Sequence, residues 1–135
     1  MNIEEVKDLL GYCRFMRAPE HVFITDEIVH DDAGHNFRGL QPTWRRDIIF
    51  LSAQANQSTI PHETWHANTG LGELTAYPIG NIVTKKIEMV KTLAPRLKGL
   101  RLRALPDYEE VNMSEDEFPA MAKYKGRVRH YRRVR

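Results

Sequence analysis

"DIIFLSAQANQSTIPHETWHANTGLGELTAYPIG", residues 47–80, changes its periodicity twice. DIIFLSA, 47–53, is an unbroken run of β-branched and aromatic residues, short enough to be a strand. Ser58 or Thr59 can cap a helix whose first turn admits Pro61, and Asn68-Thr69-Gly70 stops it. A second helix opens near Glu73. Ile79, Ile82, Val83, Ile87, Val90, Leu93, Ala94 and Leu97 give it a long apolar stripe, and Pro78 fits only in its first turn or at a kink. Strand followed by helices predicts an α+β fold: a short, mainly antiparallel or mixed sheet from residues 21–53, packed on helices at 59–69 and 74–94.

On the N-terminal side, Asn2 and Glu5 form a capping pair. Ile3, Val6, Leu9, Leu10, Cys13 and Met16 recur at helical spacing, which predicts a helix ending before Pro19. HVFITDEIV, 21–29, reads as a strand, and HDDAGHNFRGLQPTW, 30–44, as turn-like. Beyond Pro95 the pattern is ambiguous: LKGLRLRALPDYEEV is a helix end or a short strand, DYEEVNMSEDE an acidic loop, and AMAKYKGRVRHYRRV a final helix or strand.

With 41% hydrophobic and 28% charged residues of mixed sign in 135, the chain belongs to the soluble globular class and has the length of one domain with a true core. No apolar run reaches the roughly 20 residues of a membrane helix, and the acidic, amphipathic N-terminus lacks a signal-peptide pattern, so a cytoplasmic location with no membrane association is expected. Cys13, the single cysteine, falls on the apolar face of the first helix and is expected in the core. Residues 123–135 hold seven Lys and Arg and no acid, so against +2 for the whole chain the remainder sums to −5. This contrast divides the sequence into a domain at 1–122 and a basic tail at 123–135.

The chemistry concentrates in HETWH. A helix advances 100° per residue, so His62 and His66 lie one turn apart on one face and can direct their ring nitrogens at a common point. Two neutral imidazoles and a third protein ligand hold zinc while a fourth position stays open to water, and the adjacent carboxylate of Glu63 can accept that water's proton. A pentad of this form arises by chance in roughly one chain in fifty of this composition, so its surroundings matter. Here a strand precedes it, Gly-x-Gly follows it, and Glu73 opens the next helix.

With HETWH and GELTAY in this arrangement the chain resembles the zincin superfamily of HExxH metallopeptidases, specifically the glutamate-zincin pattern; the likeness covers about residues 45–85. The resemblance implies His62 and His66 as zinc ligands, Glu63 as general base, Glu73 as third ligand, and DIIFLSA as the sheet edge that binds an extended substrate. Six residues separate His66 from Glu73, fewer than in large glutamate zincins. The extended metzincin form would place Gly at 69 and His at 72, where this chain has Thr69 and Gly72. Gly70 and Gly72 allow the reversal that would return Glu73 to the histidine face. His21, His30 and His35 are the alternative ligands.

Tyr77, one turn beyond Glu73, is the expected donor to a developing oxyanion, with Tyr108 and His130 as alternatives. The expected partner is a peptide or protein substrate. A competing reading makes the chain a binding or structural protein whose basic tail, with Tyr124 and Tyr131 interleaved, contacts nucleic-acid phosphates and bases.

Overall fold

The computed structural model describes residues 1–13, 16–30, 33–42, 45–93 (backbone alone for 90–93), 106–114, 116–119, 121 and 127–134. The stripe positions Ala94 and Leu97, the ambiguous stretch at 97–105, and residues 123–126 and 135 of the basic segment lie outside them.

Helix α1 spans Ile3–Leu10, and the Asn2 side chain caps it by accepting the Glu5 N–H at 2.9 Å. It stops earlier than the apolar spacing predicts. Gly11, a poor helix former, closes it with its N–H shared between the Lys7 and Asp8 carbonyls, although Cys13 and Met16 remain buried beyond its end.

Strands β1 (His21–Thr25), β2 (Val29–His30), β3 (Asn36–Phe37), β4 (Gly39–Leu40) and β5 (Ile48–Leu51) follow. Helices α2 (Thr59–Thr69) and α3 (Glu73–Leu93) come next, then β6 (Tyr108–Val111) and β7 (Val128–Arg133). The main sheet has the order β4-β5-β1-β7-β6, and β2 pairs with β3 separately. Within the main sheet β1 and β5 are parallel and the other pairings antiparallel. The fold is therefore α+β with a mixed sheet, as residues 21–94 predict.

Residues 128–133 of the basic segment are strand β7, the strand alternative expected of that stretch, hydrogen-bonded between β1 and β6 within the sheet. One result differs from the reading of the sequence. DIIFLSA is not the sheet edge: β5 lies between β1 and β4, so the short β4 is the terminal strand. Two-residue strands carry no periodic signal: β3 and β4 fall within the stretch read as turn-like, and β2 straddles its start at Val29–His30.

Both faces of the sheet are covered, which explains the unbroken apolar runs of β1 and β5. Because side chains alternate along a strand, Val22, Ile24, Ile49 and Leu51 face the helices, packing with Val6, Leu10, Ile60, Val83 and Ile87. Phe23, Ile48 and Phe50 face the other way, under Phe118 and Met121. On that side His21 and His130 are also buried, with His21 Nδ1 and His130 Nε2 3.0 Å apart. No helix among the described residues is long and apolar enough to cross a membrane.

Candidate metal centre

Helix α2 is anchored by a residue that the sequence reading passes over. Ser58 makes no capping hydrogen bond; the Asn56 side-chain oxygen instead accepts the N–H groups of Ser58 and Thr59, while Thr59 Oγ1 accepts the Asn56 N–H. Asn56-x-x-Thr59 is a reciprocal capping arrangement, legible in principle from its spacing.

At the other end Gly70 adopts a left-handed conformation, φ 68°, and its N–H bonds to the His66 carbonyl at 2.8 Å. Gly72 has no such conformation, so the reversal rests on Gly70 alone. The chain then doubles back. Trp65 Nε1 donates to Thr75 Oγ1 at 3.0 Å, tying α2 to the start of α3, and Gly80 of α3 lies against Ser58 and His62.

The return places Glu73, the first residue of α3, over the histidine pair. Its two carboxylate oxygens stand 3.0 Å from His62 Nε2 and 2.6 Å from His66 Nε2, and the two ring nitrogens are 3.2 Å apart. Glu63 Oε1 lies farther, 3.8 Å from His62 Nε2. His62, Glu63 and His66 offer ligand atoms within 4.8 Å of one another and could hold a metal ion.

The other ring nitrogen of His66 decides how these atoms can coexist. His66 Nδ1 is 2.7 Å from the Leu71 carbonyl oxygen, which can only accept, so Nδ1 carries the proton. In a neutral ring Nε2 is then a bare lone pair, facing a carboxylate oxygen at 2.6 Å and a second imidazole nitrogen. Such a convergence requires a proton or a metal ion between the atoms. Two donors bound to one zinc at tetrahedral angles stand about 3.3 Å apart, close to the separation of the nitrogens here. The donor set fits a metal.

Burial acts on both acid–base groups. It lowers the His62 pKa, partly opposed by the Glu73 carboxylate and reinforced by His66. Glu63 is only 7% exposed, and burial pushes its pKa up to about 7, with His66 pulling it down and Glu73 adding to the rise. Part of that burial comes from Gly39 of β4. A Cβ there would stand 2.6 Å from Thr59 Cγ2 and 3.0 Å from Glu63 Cγ, so only glycine lets the strand lie against the acid.

His62, Glu63 and Glu73, with Gly39 and Thr59, line a groove of ≈ 550 Å³ between β4 and the two helices. Tyr77 lies along it with its ring centroid 4.6 Å from that of His62, in an edge arrangement. The alternatives lie elsewhere. Tyr108 donates its hydroxyl to the Pro19 carbonyl, His130 pairs with His21 on the far face of the sheet, and His30 and His35 are exposed away from the groove. In the basic segment Tyr131 is 8% exposed, and Arg127, Arg132 and Arg133 pair with Glu27, Glu109 and Glu20. Tyr124 lies outside the described residues.

No family model matches this chain, and neither does any curated protein or solved structure.

Proposed function

We propose that this protein is a zinc-dependent peptide hydrolase of the zincin type, with His62, His66 and Glu73 as the metal ligands and Glu63 as the general base. The observation that carries the reading is the convergence of His62 Nε2, His66 Nε2 and the Glu73 carboxylate, with His66 Nδ1 already committed to the Leu71 carbonyl. Outer hydrogen bonds of this kind fix the tautomer and orientation of a ligating imidazole.

Zinc bound there would supply Lewis acidity, making water acidic near neutral pH and polarising a carbonyl. The residues of the chain do the rest. Glu63 takes the proton of an attacking water and returns it to the departing amine; its buried carboxyl, with a pKa raised to about 7, is suited to both steps. The exposed phenol of Tyr77 donates a hydrogen bond to the oxygen on which charge develops. An extended peptide lies along β4, the terminal strand, since Gly39 brings that backbone against Glu63.

The test is Glu63→Gln in zinc-loaded protein, assayed on an unstructured protein substrate. The amide cannot accept the proton, so activity falls by about 10²–10⁴-fold or more while the metal content is unchanged. Full activity in the variant removes Glu63 from the mechanism and this reading with it.

A further inference from the structure

The groove contains one basic side chain that the proposed chemistry leaves unused. Arg38 immediately precedes Gly39, the residue packed on Glu63, and its side chain is exposed on the groove wall. Its backbone is anchored: the Arg38 carbonyl accepts the N–H of buried Ser52 at 2.9 Å, and the Ser52 hydroxyl is shared between the Phe37 carbonyl at 2.5 Å and the Arg38 carbonyl at 3.1 Å. A basic residue on the pinned bend between β3 and β4, one position before the glycine that packs on the general base, is in a position to read a substrate.

Its charge has no counterpart among the described residues. Arg17, Arg45, Arg46, Arg127, Arg132 and Arg133 each hold a carboxylate or a backbone carbonyl. Arg38 holds neither. The charged groove lining is otherwise His62, Glu63 and Glu73. A divalent ion would offset the two carboxylates and leave the Arg38 guanidinium as the surplus charge of the cleft. A planar fork of donors in that position matches a carboxylate.

We propose that Arg38 is the specificity-determining residue of the groove, and that it selects peptides carrying a carboxylate close to the bond to be cleaved. The inference rests on the peptide-hydrolase reading and extends it to a substrate class: acidic rather than neutral or basic peptides. The carboxylate comes from an Asp or Glu side chain or from the peptide's own C-terminus, and the two sources are separable.

The experiment measures binding and cleavage separately. Alanine pentapeptides carrying an uncharged dansyl label are titrated against the zinc-loaded Glu63→Gln protein in four forms: one central Glu with an amidated C-terminus, all alanine with a free C-terminus, all alanine amidated, and one central Lys amidated. At low ionic strength, at least one carboxylate peptide is expected to bind about tenfold tighter than the neutral amide, and which one it is names the source. Added salt should shrink the difference. Arg38→Ala should abolish the preference, Arg38→Lys should keep part of it, and Arg38→Glu should turn it toward the Lys peptide. Equal binding of acidic and neutral peptides, no measurable binding of either carboxylate peptide, or a preference that survives Arg38→Ala overturns the proposal. Cleavage by the unmutated protein tells the two readings apart: cleavage without acidic preference sinks the role of Arg38 alone. Arg38-dependent binding with no cleavage of any peptide sinks the hydrolase alone.

Discussion

His66 Nδ1 stands 2.7 Å from the carbonyl oxygen of Leu71, five residues further along the chain. This contact links the reversal after α2 to the chemistry of the site. It fixes which nitrogen of His66 carries its proton, and so leaves Nε2 facing Glu73 and His62 with a lone pair. The turn that makes the contact depends on the left-handed conformation of Gly70.

Gly70→Ala should therefore cost roughly 1–2 kcal/mol of stability for placing a side chain at positive φ. It should also weaken zinc binding by about tenfold or more, by moving the Leu71 carbonyl. Gly72→Ala is the control, since a Cβ there meets nothing within 4 Å and the backbone is not left-handed. Urea unfolding and zinc titration of the two variants check both halves. Equal effects from the two substitutions would detach the turn from the site.

Glu73→Gln separates two roles of one carboxylate. As a metal ligand, Glu73 should be needed for tight zinc binding, and its loss should leave the metal-free fold nearly as stable. As a charge at the start of α3, its removal should cost about 0.3–1 kcal/mol with and without metal and leave affinity unmoved. Zinc affinity within twofold of the parent would reject Glu73 as a ligand.

On the far face of the sheet, burial lowers the pKa of His21 and takes that of His130 down to about 4, with His21, Arg132 and Arg45 adding to the fall at His130. Asp47, Glu117 and Glu20 act in the raising direction on His21, and Arg45 against them. Unfolded histidines bind protons from about pH 6.5 downward, whereas folded His130 does so only near 4. Stability from this pair is complete above pH 6.5 and is lost as pH falls toward 4. Glu63, with its raised pKa, acts in the opposite sense between about 4.5 and 7. The metal-free Glu63→Gln protein removes this opposing contribution: its unfolding free energy should drop steadily from pH 7 to 4, with the lowered pKa of His62 adding to the slope. His130→Phe in the same background should flatten that slope. An unchanged slope would exclude His130 as its source.

The parts of this molecule legible in the sequence are those with a strong period or a fixed spacing. His62 and His66 share a helical face by geometry alone, the apolar runs of β1 and β5 mark buried strands, and Asn2 with Glu5 marks the start of α1. Glu73 was accessible because a glycine reversal before a helix returns its first residue toward the preceding one. What the sequence leaves open depends on tertiary pairing. In β7 the consecutive buried pair His130-Tyr131 breaks the alternation that would decide strand over helix among its arginines. β4 is two residues long, so the real edge of the sheet had no pattern to show. The roles of Gly39 and of the Leu71 carbonyl exist only once the chain is folded, because one is a close approach between elements and the other a backbone group.

The central claim is that the cation required among His62, His66 and Glu73 is a metal ion and not a proton. Elemental analysis of the protein after mild, chelator-free purification tests it most directly. The account predicts about one zinc per chain, removed by a strong chelator and taken up again on addition of zinc, with His62→Ala and His66→Ala both losing it. Less than about a tenth of an equivalent of metal, with no uptake on adding zinc, would contradict it and leave a shared proton between His66 and Glu73.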